Sequence, residues 1–424
     1  MKRLTSLLLF FMISSGASAQ VLTLEECFEW AEQHHPKSEE KVLLDESLQL
    51  RLGQLDKNFL PQLSFEAQAT YQSDVTQVNI DLPGMNLDIP SPDKDQYKAA
   101  LNLTQTIYDG GITKASQKIE KVSAGISKQQ VEVTLLQVRE SVAKSYFSVL
   151  LMQQQKAQLL TIREKLETQL HQIRSSVKNG MAIPSDTNLV KVELVKLDSQ
   201  INQLERNRLT AFSILEELTG EELKPSRKLE VPQYNLPAES TFDTRPEMKL
   251  MDMQASQIDQ AKALQDRLYR PKVAAFGTAG YGRPGLNMLS NDFDSYWIVG
   301  AKVSWNLWNW DKAGDEKKIL TLQQNILQKE KETLEQNLNV SLLQKQSEID
   351  DFREMANEDR KVIELYKDIV ESHASRLKNG TITPAEFINQ LNNQKNAQLN
   401  YELHQIQLEK ARVEYLLTLG KSNQ

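Results

Sequence analysis

The chain has 424 residues, with 50 Lys and Arg against 57 Asp and Glu, a formal net charge of −7, and 40% hydrophobic residues. That acidic balance excludes a general nucleic-acid binder, which needs a basic stripe. A single cysteine, Cys27, excludes an internal disulfide.

The first residues read as an export signal over 1–19. Lys2 and Arg3 give a positive start, Leu4 to Ile13 a short apolar core, and Ala17-Ser18-Ala19 a small-residue cleavage site. Cys27 lies too far beyond that site to be a lipidated first residue and reads as a small buried one. No later segment has the ~20 apolar residues of a membrane-spanning helix.

The mature chain says everything twice. Pro36 and Pro61 recur as Pro246 and Pro271, 210 positions on; Ile107-Tyr108 and Gly220 recur as Leu307-Trp308 and Gly420, 200 positions on. One length difference, in the loop between two alternating stretches, accounts for both offsets. The expected repeats are 20–220 and 245–420, with a linker over 221–244 and a tail over 421–424.

Each repeat starts with a helix of about twenty residues that leads to a proline. Two stretches of period two follow, at about 61–72 and 97–107, then 271–282 and 295–307. Leu63, Phe65, Ala67, Ala69 and Tyr71 alternate with Gln62, Ser64, Glu66, Gln68 and Thr70, which predicts strands with one apolar and one polar face. Proline-free helical patterns come next, from about Ile112 and Lys312. Each ends in a turn and returns, so helical hairpins are expected over about 112–219 and 312–419. At 1.5 Å per residue each outgoing arm would reach roughly 100 Å. The return arm carries a heptad stripe, Val190, Leu194, Leu197, Ile201, Leu204, Ala211, Leu215 and Leu218, which predicts an antiparallel coiled coil.

The two turns read "VKNGMAIPSD" and "LKNGTITPAE". Gly180 and Gly380 stand where a helix must end, and Pro184 and Pro384 can open the return helix. Lys178 and Lys378 suit the C-terminal end of the dipole, and Asp186 and Glu386 the N-terminal end.

No nucleophile elbow, phosphate loop or zinc-protease motif occurs, and no two of the five histidines form a helical metal pair. The sequence therefore predicts neither an enzyme nor a metal or cofactor. Exported one-sided strands of this length suit an outer-membrane barrel. Four strands cannot close one, and open edges in lipid leave backbone groups unsatisfied, so other copies must complete it. Trp305, Trp308 and Trp310 suit either the membrane–water interface or packing at the barrel–helix junction. The Asp-rich first loop, with Asp74, Asp81, Asp88, Asp93 and Asp95, should face outside.

At this point the chain resembles the TolC-type outer-membrane efflux proteins. The resemblance rests on "LTLEECFEWAEQHHP", the strand openings at Pro61 and Pro271, "LTQTIYDGG" at Leu103 to Gly111, the two glycine turns and the duplication. It implies an α+β membrane protein: a homotrimer in the outer membrane of a Gram-negative bacterium. Each chain would give four strands to one transmembrane β-barrel and two coiled-coil hairpins to a periplasmic α-barrel. It implies an exit duct working with a periplasmic adaptor protein and an inner-membrane pump, in contact with outer-membrane lipid. By the same resemblance Asn179, Gly180, Met181, Asn379, Gly380 and Thr381 would dock the adaptor, and Ser185, Asp186 and Glu386 would line a gate. Where the family carries an arginine or tyrosine near that gate, this chain has Leu377 and Ile382. Two rivals stand beside this reading: an exported coiled-coil scaffold, which leaves the strands unexplained, and a stand-alone channel, which leaves the hairpins without use.

Overall fold

The computed structural model describes residues 21–76, 91–238 and 240–421. The export signal, Asp81 and Asp88, and most of the tail lie outside the described residues. Chain order is α1 (Leu24–His34), α2 (Pro36–Asp56), β1 (Gln62–Tyr71), β2 (Asp95–Tyr108), α3 (Ile112–Lys178), α4 (Pro184–Thr219), α5 (Pro246–Leu268), β3 (Lys272–Arg283), β4 (Asp294–Ser304), α6 (Lys312–Lys378) and α7 (Pro384–Thr418). A proline opens α2, α4, α5 and α7, in the first turn where its missing N–H is not needed. No described helix is long and apolar enough to cross a membrane.

Two compact units emerge, and each draws on both repeats. One comprises Lys41–Gln130 and Lys249–Glu332; the other comprises the remaining segments.

The Lys41–Gln130 and Lys249–Glu332 unit holds a four-stranded antiparallel sheet in the order β1-β2-β3-β4. The register puts like with like. Leu63 faces Leu103, Phe65 faces Leu101, Val273 faces Val303 and Ala279 faces Trp297. This apolar face is bare: Phe65 is 67% and Val299 69% exposed. The opposite face carries the polar row of β1 and, beside Phe276 and Ile298, a polar pair in which Thr278 Oγ1 donates to Asn102 Oδ1 at 2.8 Å. Among the described residues β1 and β4 each pair on one side only. The fourth strand stops at Ser304, short of the expected 307. The chain leaves the pleat there to turn into α6, through Trp310 and Asp311 at φ 58° and 54°.

Helices in this unit meet through polar rungs. Lys128 pairs with Asp45 and Arg51 with Glu120 between α3 and α2; Lys317 pairs with Asp266 and Lys331 with Asp252 between α6 and α5. Such exposed pairs contribute about 0–1 kcal/mol each, so they set alignment more than stability.

The other unit has the apolar core. Tyr146, Phe147, Phe212 and Leu215 are buried with Leu24, Cys27 and Ala31 of α1. Each such leucine or phenylalanine stabilises by roughly 1.5–3 kcal/mol. Leu22 pairs with Leu229 in a parallel bridge, and Tyr146 Oη lies 2.7 Å from Leu22 O and 2.8 Å from Glu230 O. The segment just before α1 is thus pinned to the irregular segment between α4 and α5. Cys27 is fully buried, and burial pushes its thiol up to about 12, so it stays protonated. Val190, Leu197, Ala211 and Leu215 of the predicted heptad stripe are buried. Antiparallel rungs flank it, Lys156 with Glu205 at 2.9 Å and Arg163 with Asp198 at 2.7 Å.

Candidate docking and gate turns

The long helices end the same way twice. At the first turn Gly180 N–H donates to Val177 O at 3.1 Å and Met181 N–H to Ser176 O at 2.8 Å. At the second, Gly380 N–H donates to Leu377 O at 3.0 Å and Thr381 N–H to Arg376 O at 2.9 Å. This pair of bonds is the Schellman closure, which needs a left-handed residue. Gly180 and Gly380 supply it at φ 72° and 70°. An added Cβ at either would meet nothing within 4 Å, so it is the backbone angle that calls for glycine within the chain. Asn179 and Asn379 are the exposed residues just before those glycines.

Each return helix then starts on its acid. Thr383 N–H donates to Glu386 Oε2 at 2.9 Å, while Glu386 N–H donates to Thr383 Oγ1 at 3.3 Å. That is a complete capping box. In the first turn Ile183 N–H donates to Asp186 Oδ2 at 3.2 Å, but isoleucine has no oxygen to return the bond. Both acids therefore have a structural task that the sequence analysis did not assign. The signal was present as Thr-x-x-Glu in "TPAE", directly before an apolar run.

The turns also differ in surface. Met181 is 74% and Ile183 62% exposed, whereas Thr381 and Thr383 present hydroxyls at the same places. Thr381 Oγ1 is already spent on Arg376 O at 3.0 Å. Ser185 is exposed, Asp186 partly covered and Glu386 exposed.

Behind the turns, one apolar cluster joins both hairpins: Ile173 and Val190 of the first with Phe387, Ile388 and Leu391 of the second. Leu377 and Ile382 pack against it. The two positions that depart from the family's gate pattern therefore serve as packing here.

Comparison places this arrangement among known proteins. The model of the family described as outer membrane efflux protein matches residues 31–221, which is most of the first repeat. No curated protein is similar enough in sequence to match the chain. Among solved structures, the outer membrane protein VceC from Vibrio cholerae is 14% identical with a TM-score of 0.67, covering 94% of this chain and 96% of its own. The channel-forming protein CusC is 12% identical with a TM-score of 0.71, over 94% and 92%. The open-state MtrE outer membrane channel of Neisseria gonorrhoeae is 15% identical with a TM-score of 0.67, over 94% and 89%. The sequence model of the outer membrane efflux proteins thus matches the first repeat, and the fold of the solved outer-membrane channels extends across nearly the whole length of the chain.

Proposed function

We propose that this outer-membrane efflux channel is the exit duct of a tripartite system. Three copies join β4 of one to β1 of the next and close one barrel in the outer membrane. The hairpins lie in the periplasm, where their turns meet a periplasmic adaptor fed by an inner-membrane pump. One observation carries the reading: an apolar sheet face is bare, and both edge strands lack a second partner among the described residues. In lipid every backbone group must be satisfied, and closing the sheet on further copies does so.

In this reading Asn179, Gly180 and Met181, with Asn379, Gly380 and Thr381, form the docking rim. Their exposure and tight backbone geometry favour the assignment, since a bare glycine lets a partner approach closely. Ser185, Asp186 and Glu386 stand just inside it, where a ring of carboxylates would favour cations. The acids' capping bonds use one oxygen of each carboxylate and leave its charge in place. The test is affinity capture of the full-length protein from its own membranes after crosslinking. A periplasmic adaptor and an inner-membrane pump should come with it, and should be lost when the turns are altered. Capture of the channel with neither partner would favour a stand-alone pore.

A further inference from the structure

The repeat gives the sheet an internal control. On the face opposite the bare apolar one, three rungs of the first repeat join Glu66 to Ala100, Gln68 to Lys98 and Thr70 to Gln96. The equivalent rungs of the second join Phe276 to Gly300, Thr278 to Ile298 and Gly280 to Tyr296. Both sets pair antiparallel in equivalent register, so strand pairing does not require apolar side chains at these places. Yet Phe276, Ile298 and Tyr296 stand where the first repeat has Glu66, Lys98 and Gln96.

Two glycines seat the rings. A Cβ at Gly300 would lie 2.9 Å from Phe276 Cζ, and one at Gly280 would run into the Tyr296 ring. Each ring thus lies over a glycine of the neighbouring strand, and covers backbone without filling the space above it. The Tyr296 ring reaches far enough to come 6.0 Å from Lys98 Nζ. Ile298 bridges the two rings, so the three side chains make one stripe, ~14 Å long at ~3.4 Å per residue. Phe276 is 38% and Ile298 40% exposed, and Tyr296 is half-buried. Polar groups border the stripe, with the Thr278–Asn102 pair on one flank. In the closed barrel of the proposed function this face lines the lumen. Such interiors are polar and wet, so an apolar stripe there calls for an apolar contact.

We propose that Phe276, Ile298 and Tyr296 are a contact track for lipophilic cargo, one per copy, on the wall of the duct. The occupant is a small uncharged molecule with an apolar surface. Contact with three side chains on an open wall holds it weakly, and a duct needs weak contacts so that cargo can leave. Only the second repeat carries the track, so a closed barrel would alternate apolar and polar walls. This role rests on the sheet closing into a barrel around a lumen, and it needs no pump partner.

The test is fluorescence quenching of the full-length protein in phosphatidylcholine vesicles. A bimane label goes on Thr278→Cys, beside the track, or on Gln68→Cys, its equivalent in the first repeat; the native Cys27 is buried. The quenchers are two uncharged nitroxides, the apolar TEMPO and its hydroxylated analogue TEMPOL. The ratio of TEMPO to TEMPOL quenching should be about fourfold higher on Thr278→Cys than on Gln68→Cys, which is what one buried CH2 group supplies. Adding Phe276→Thr, Ile298→Thr and Tyr296→Gln should bring it down to the Gln68→Cys value. Equal ratios at the two positions would overturn the proposal, and so would an excess that survives the three substitutions. Failure of TEMPOL to reach either label would mean that this face lines no wet lumen, and the barrel reading would fall together with the track.

Discussion

Gly180 separates folding from docking with one position. Its left-handed angle of φ 72° makes any other ordinary residue costly, by roughly 1–2 kcal/mol. Since an added Cβ meets nothing within 4 Å, no clash is added inside the chain. Gly180→Ala and Gly180→Trp should therefore lose the same roughly 1–2 kcal/mol, too little to unfold a domain with 5–15 kcal/mol in hand. Gly220 is the contrast. It is left-handed too, at φ 68°, but a Cβ there would lie 2.6 Å from His34 Cβ, so Gly220→Ala should cost clearly more. The assay pairs thermal unfolding of the purified protein with rescue of drug resistance in a strain that lacks its own exit duct. Ala should rescue and Trp should fail, because only the indole blocks a partner's approach. Equal rescue by both would refute docking at this turn. Far greater destabilisation by Trp than by Ala would refute the claim that the turn is open.

Three further predictions follow from the same turns and their supports. Ile183→Thr should complete the capping box of α4 and stabilise by about 1 kcal/mol, while Thr383→Ala should lose about as much from α7; chemical denaturation of the two variants checks both. Asp186→Asn with Glu386→Gln keeps an oxygen to accept each capping bond but removes the charge, so stability should hold while cation selectivity in planar bilayers falls; unchanged selectivity would count against a gate role. Glu205 is held down to about 2, first by its hydrogen bond from Arg208 and then by Lys156. A depressed carboxylate gives stability that is present at neutral pH and lost as pH falls from about 4.5 towards 2. Glu205→Gln should flatten that part of the stability-versus-pH curve.

How much of this was legible in the sequence depends on the period of each pattern. The strands showed plainly because one face meets an apolar medium and the other does not, so Leu63 to Tyr71 alternate without exception. The helical turns showed because Gly180 and Gly380 answer a backbone demand that few residues can meet. The capping role of Asp186 and Glu386 was only half visible. Their place in the first turn fits the dipole, but the partner N–H is three residues back and appears once the turn is built. The end of β4 was hidden because Trp305 and Leu307 keep the alternation after the pleat has stopped. Leu377 and Ile382 read as departures from a family gate; packing between two hairpins gives them their use, and no local pattern foretells which hairpins meet.

The central claim is closure of the sheet by further copies, and an edge-to-edge crosslink tests it most directly. The one native cysteine, Cys27, is buried and its thiol is pushed up to about 12, so it gives little background. Cysteines placed in pairs on the outer strands, Leu63→Cys or Phe65→Cys on β1 with Val299→Cys or Val303→Cys on β4, should be oxidised in native outer membranes. The account predicts that at least one pair yields a covalent species of three chains and no larger ladder. Chains that remain single with every pair, or ladders that run past three, would contradict it.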